Sequence, residues 1–323
     1  MVTLSKKERL EQIIIPTPFA VGDVNVYLLM GDAVSLVDVG PNTPEAWVAL
    51  ERGLAAHGLT PGDIDQILLT HHHIDHYGLA SRIQEIKGAR LYCHPLSEMF
   101  VRRDEEKLKR AVDYFEQLYL LHGVPERVAS QAIGHKKLYD DFGSTAEIHG
   151  WLKGGEGLPG HEEWEIYHMP GHSQDHLCFY ERDQKILLGG DHLIKHISSN
   201  AILEAPQADV ERPKTLIQYR DSLKKCLRMD IEKVYSGHGE PIEEVSSLIE
   251  NRLERQEQRA DAILDLMQRG EKTAWEISIA MFGERLKEEM SLILSEVIGH
   301  LDLLLEQGRV QTIQRDQRLY YQG

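Results

Sequence analysis

The sequence predicts a layered α/β fold, and three observations predict it. Short, strand-length apolar runs recur through the first 240 or so of its 323 residues; helical patterns closed by glycine separate several of them; and most runs end in Gly, Asp, Pro or His. The strand runs are NVYLLM (25–30), AVSLVD (33–38), DQILLT (65–70), RLYCHP (90–95), WEIYHM (164–169), HLCFY (176–180), KILLGG (185–190) and EKVYSG (232–237). PEAWVALERGLAAHG and GLASRIQEIKG carry the helical spacing.

Two stretches interrupt this rhythm. Residues 97–160 are mostly helical in pattern, and Leu108, Ala111, Val112, Phe115 and Leu118 share one face of DEEKLKRAVDYFEQLYLLHG. From residue 242 the chain turns helical again, in three segments followed by two short alternating runs around a polar turn. That is the order of a winged helix, so the division predicted is 1–241, with a helical insertion at 97–160, and 242–323. The longest late helix is expected from Arg285 to Gln307, and its many acidic side chains suit packing better than a phosphate backbone.

Composition narrows the function classes. An excess of 52 acidic over 36 basic residues gives a formal charge of -16, which repels nucleic acid. Three scattered cysteines, with no CxxC pair, fit a reducing compartment. No signal peptide and no apolar stretch long enough for a membrane span is seen, so a cytoplasmic protein is expected.

The chemistry concentrates in THHHIDHYG, residues 70–78. In an extended loop the side-chain period of two points His71 and His73 to one side and His72 to the other. Asp75 and His76 follow as the chain turns into a helix, facing a second ion. Four further strand ends carry the same residue types: LVDVG (Asp38), MPGHSQDH (His172), LLGGDHL (Asp191) and YSGHGEP (His238). Imidazole and carboxylate are the donors that Zn²⁺ and similar ions take, and loops at one end of an α/β sheet converge.

These five segments, in this order, resemble the signature of the metallo-β-lactamase superfamily across residues 20–241. The resemblance implies a four-layer αββα sandwich and a two-metal site. It implies His71, His73 and His172 on one ion, Asp75, His76 and His238 on the other, Asp191 bridging, and Asp38 orienting the ligand loop from behind. The C-terminal part resembles the winged-helix domain of some lactamase-like hydrolases. Aspartate at 191, where zinc β-lactamases commonly carry cysteine, disfavours antibiotic hydrolysis; histidine at 73, where flavodiiron proteins have glutamate, disfavours oxygen reduction. Hydroxyacylglutathione hydrolases, lactonases and tRNase Z-type phosphodiesterases remain.

The expectation is therefore a hydrolase with two divalent ions, Zn²⁺ first and Mn²⁺ or Fe²⁺ as alternatives. Such a pair lowers the pKa of a shared water toward roughly 7, and the resulting hydroxide attacks a small acyl compound, a thioester by preference. Asp75 is the expected proton acceptor. His176, His192 and His196 are candidates for substrate contact. An anionic small molecule is the expected partner, with a homodimer contact or a lid as roles for the insertion. A phosphodiesterase or single-strand ribonuclease is the alternative, which would need Lys136–Lys137 or the lysines of KLKR as a basic track. A DNA-binding regulator is the alternative from another class.

Overall fold

The computed structural model describes residues 8–130, 135–207, 210–268 and 270–323, without the side chains of 135–138. The Lys136–Lys137 side chains expected to form a basic track therefore lie outside the described residues. Two sheets carry the first part of the chain. The first contains β1 (Arg9–Ile15), β2 (Val24–Met30), β3 (Val34–Val37), β4 (Gln66–Leu68), β5 (Arg90–Cys93) and β6 (Ile148–Trp151), neighbours in that order. Strands β1 to β3 are antiparallel and β3 to β6 parallel. The second contains β7 (Gly157–Leu158), β8 (His161–His168), β9 (Leu177–Glu181), β10 (Ile186–Gly190) and β11 (Lys233–Ser236), in the order β11-β10-β9-β8-β7.

The sheets meet face to face. Tyr27, Leu29, Val37 and Leu68 of the first pack with Trp164, Ile166, Leu177, Phe179 and Leu188 of the second. The alternate residues Val26, Leu28, Leu36 and Ile67 point the other way, against Trp47, Leu50 and Leu54 of α1 (Pro44–Ala55) and Ile83 of α3 (Ala80–Lys87). Both faces are covered, which is why NVYLLM reads as a continuous apolar run rather than an alternating one. Thr43 starts α1 by accepting the Ala46 N–H, ahead of Pro44 in the first turn, and left-handed Gly88 ends α3. Between them the one-turn α2 (Ile74–Tyr77) follows the histidine loop.

The outer face of the second sheet is covered by the later helices. Cys178, Tyr180, Leu187 and Val234 join Leu216, Tyr219 and Leu223 of α8 (Thr215–Cys226) in one buried cluster. That cluster continues without a break into α9 (Val245–Met267), α10 (Ala274–Phe282), α11 (Met290–Glu306) and Tyr321 of the hairpin β12–β13 (Gln311–Arg315, Arg318–Gln322). Asp316 and Gln317 both have positive φ, the conformation a two-residue hairpin turn requires. The insertion supplies α4 (Glu98–Val101), α5 (Glu105–Leu121), α6 (Glu126–Ala129) and α7 (His135–Phe142). Leu118 and Tyr119 of α5 enter the same cluster, while Leu108, Ala111, Val112 and Phe115 are half-buried on the same face.

Three sequence expectations are corrected in detail. The stretch 97–160 is helical only to Phe142, because β6 and β7 are edge strands of the two sheets. Both are very short and glycine-containing, IHGW and GL, so periodicity gave them no signal. Strand β1 was not foreseen: its outward Arg9 and Glu11 dilute the apolar pattern, although it pairs with β2 along its whole length. The longest late helix is α9 rather than one spanning 285–307; residues Gly283–Lys287 form a separate 3₁₀ turn before α11. Among the described residues no helix is long and apolar enough to cross a membrane.

Candidate metal centre

Seven side chains from four loops converge where strands of both sheets end, with Asp38 behind them on a fifth. The nitrogens His71 Nε2 and His172 Nε2 each lie 3.0 Å from His73 Nδ1. Beside them, His76 Nε2 is 3.4 Å from Asp191 Oδ1 and 3.8 Å from Asp75 Oδ2, and His238 Nε2 is 3.3 Å from Asp75 Oδ2. Asp191 spans the two groups: its Oδ2 is 3.6 Å from both His172 Nε2 and His238 Nε2. The structure thus brings together every residue that the resemblance implied as a ligand, in two adjoining groups.

The backs of the rings are held. Thr70 Oγ1 is 2.9 Å from His71 Nδ1, His172 Nδ1 donates to the Asn200 carbonyl, and His238 Nδ1 donates to the Asp23 carbonyl. His76 Nδ1 donates to Asp38, which also accepts the N–H and hydroxyl of Thr70. Asp38 sits at φ 60, a left-handed conformation unusual for aspartate, and these three bonds over-determine it. With one ring nitrogen occupied behind, each of these histidines turns its other nitrogen into the cluster.

Charge follows the same pattern. Burial pushes His71, His73 and His172 below the ordinary imidazole range, and the crowding of other imidazoles adds to it for His71 and His73. Burial opposes protonation of His76 and His238 as well, but the carboxylates Asp191 and Asp75 outweigh it and raise both. Burial would lift Asp75 and Asp191, yet the neighbouring histidines hold both carboxyls low. The neutral imidazoles of His71, His73 and His172 and the ionised carboxylates are donors for a divalent cation, and an ion beside His76 and His238 would take the place of the protons that their carboxylate neighbours draw to them. His76 Nε2, Asp191 Oδ1 and His238 Nε2 are buried without a hydrogen-bond partner, as donors awaiting an ion would be. A methyl group on Gly237 would lie 2.3 Å from Asp191 Oδ1 and 2.9 Å from the His76 ring, so the space is a cradle kept open by glycine.

The candidate contact residues differ in placement. His176 is fully buried; its Nε2 accepts the Asp191 N–H, which fixes the carboxylate from its own backbone. His192 is also fully buried, edge-on to Tyr219. His196 alone of the three is exposed, with its ring against Gly239, next to His238. His94, at the end of β5, accepts the Leu96 N–H and stacks on His168.

His72 turns away from the cluster, as the alternation predicts. Its Nδ1 lies 2.9 Å from Asp175 Oδ1, Phe100 stacks on the ring, and Ser97 donates to the other Asp175 oxygen. Glu204 completes this buried group by accepting the Gln174 N–H at 2.6 Å. Burial pushes the Glu204 carboxyl up to about 7 although His72 pulls it down. A folded pKa above the unfolded one contributes stability that is full below about 4.5 and lost as pH rises through about 7. Replacing Glu204 by Gln should therefore flatten the fall in urea midpoint between pH 5 and 8. An unchanged pH slope would show that Glu204 carries no such linkage.

Sequence reasoning missed the residues that join the two sheets at the site. Asn25 of β2 donates to the carbonyls of Ser236 and Gly239, and Tyr27 donates to Ser236 as well, pinning the loop that carries His238. An asparagine inside a run as apolar as VNVYLLM was the available signal.

Stacked sheets with a His/Asp cluster of this kind at their strand ends define a metal-dependent hydrolase. The profile of the metallo-beta-lactamase superfamily matches residues 20–238, and the chain belongs to that superfamily. It is 35% identical to the "Probable metallo-hydrolase YqjP" of Bacillus subtilis (strain 168), over 95% of each chain. A crystal structure of a metallo-beta-lactamase family protein from Thermus thermophilus superposes with a TM-score of 0.79 at 31% identity, covering 97% of this chain and 98% of that one. An "Atrochrysone carboxyl ACP thioesterase" of Passalora fulva is 24% identical over 85% of this chain and 67% of its own.

Proposed function

We propose that the protein is a binuclear hydrolase of a small acyl substrate, a thioester by preference. The carrying observation is the convergence of His71, His73 and His172 beside the unpartnered His76 Nε2, Asp191 Oδ1 and His238 Nε2. In this reading His71, His73 and His172 hold one ion, Asp75, His76 and His238 the other, and Asp191 both; zinc is the first choice. When bound, the ions supply Lewis acidity and acidify water. The chain's residues do the rest. Asp38 and Thr70 hold His76 and His71 in the tautomers that face inward. Asp75 keeps 12% of its side chain exposed, more than Asp191 at 8%, and takes the proton at the open side of the cluster. His196 contacts the substrate at the rim.

The thioester preference draws support from the name of the fungal relative, and an anionic substrate suits a site whose two ions outweigh its carboxylates. The phosphodiesterase alternative needs a basic track; of the KLKR lysines, Lys107 is paired with Glu98 while Lys109 is exposed, and the neighbouring Arg103 and Arg110 are paired with Asp140 and Glu106. We read 242–323 as winged-helix-like: α9, a Lys272–Tyr321 bridge, α10, α11 and a hairpin follow in that fold's order. Its α11 is buried from Ile293 to Leu304 except at Glu296, which leaves little of it to face DNA.

Initial rates of the zinc- and manganese-loaded protein on an acyl thioester and on bis(p-nitrophenyl) phosphate test the proposal. Metal-dependent thioester cleavage is the expected result. Preference for the phosphodiester would overturn it.

A further inference from the structure

The loop between β10 and α8 forms one wall of the metal cluster. It begins at Asp191, carries the exposed His196, and reaches Asn200, whose carbonyl holds His172. A loop of this length in a catalytic cleft has to be held by something. Tyr219 of α8 donates to the His192 carbonyl, Thr215 to that of Ala201, and Ser295 of α11 accepts the Leu203 N–H. Between these anchors, the carbonyls of residues 194, 195 and 197 converge on a single side chain. Arg252, in the middle of α9, donates from Nη2 to the carbonyls of Ile194 (3.1 Å), Lys195 (3.3 Å) and Ile197 (2.6 Å).

Arg252 is 6% exposed, and among the described residues it makes no hydrogen bond to a carboxylate. A buried guanidinium spent wholly on neutral carbonyls is costly, since its desolvation is offset only by those bonds. Its neighbour Arg220 shows the ordinary solution, donating to Glu257 and Gln256. The carbonyls that Arg252 holds belong to the segment that sets His196 against Gly239, one residue past His238.

We infer that Arg252 is a positioning residue for the metal cleft: helix α9 clamps loop 194–197 through it and so fixes His196 at the rim. The C-terminal helices are then part of the active-site wall rather than an appendage. The inference rests on the proposed function only for its kinetic consequence; the clamp itself is a property of the fold.

The test uses the full-length zinc-loaded protein and the variants Arg252→Met, which keeps the length without donors, and Arg252→Lys, which keeps the charge. Trypsin cleaves after Lys195, whose carbonyl is one of those clamped. Cleavage at Lys195–His196 should accelerate roughly tenfold or more in Arg252→Met and less in Arg252→Lys, with other sites unchanged. KM for whichever of the two test substrates is turned over should rise while kcat and zinc content stay near those of the parent. Unchanged protection at Lys195, or an unchanged KM, overturns the inference. So does equal loss of protection at all sites in both variants, which would make Arg252 a general core residue. Proteolysis needs no substrate, so it decides the clamp even if the thioester reading fails.

Discussion

Replacing Asp75 by Asn is expected to lower kcat by about 10²–10⁴-fold while the protein stays folded. The substitution keeps the shape of the side chain and removes its charge, its capacity to accept a proton and its anionic grip on the ion it is proposed to hold. Asp75 lies on the one-turn helix after the histidine loop, with Oδ2 3.3 Å from His238 Nε2. Burial and the nearby Asp191 work against its ionised form, and His76 and His238 restore it. Asparagine cannot serve as the base, and the two histidines lose one of the carboxylates that draw protons to them. Steady-state kinetics on the thioester and metal analysis of the same sample check this. A kcat within about threefold of the parent would remove Asp75 from the proton-transfer role.

Gly237→Ala is expected to have an effect of comparable size by a different route. The added methyl would stand 2.3 Å from Asp191 Oδ1 and 2.9 Å from the His76 ring, and neither group can move far. His76 is tied to Asp38, and the Asp191 backbone to His176. Affinity for the ion of the Asp75, His76 and His238 group should fall by about 100-fold, the upper end of what disturbing the support of a metal ligand costs, and turnover should fall with it. The near-ultraviolet circular dichroism should be retained, because the methyl enters the donor cradle rather than the apolar core. Atomic absorption would then read one ion per chain in place of two. Two ions with parental turnover would show that the cradle has room for the methyl.

These effects differ in how far the sequence alone foretells them. The alternation in THHHIDH separates His72 from His71 and His73 because side-chain direction in an extended loop depends only on position. The order of Asp38, His172, Asp191 and His238 is likewise carried by short segments at strand ends, so their convergence was legible. Asn25, Gly237 and Arg252 were not, for a common reason. Each acts on a segment remote in sequence, and no local period or motif records which loop a side chain will meet after folding. The edge strands β1 and β6 escaped for simpler reasons: polar residues in RLEQIII hide the period of two, and IHGW is too short to show one. In α11 the acidic side chains pointed to a packing helix, but not to the nearly complete burial it shows.

The distribution of the donors over separate loops has a consequence for biosynthesis. The first histidine and aspartate positions leave the ribosome together near residue 75, yet the set is completed only by His238, about 160 residues later. At roughly 5–20 residues per second, that is an interval on the order of ten to thirty seconds. Arg252, which steadies the wall, emerges later still. Until Asp191 has been made the nascent chain can offer an ion no more than a partial grip, and the proposed second group stays incomplete for a further 40 to 50 residues, roughly, so the two ions of the proposed pair would find their donors at different times.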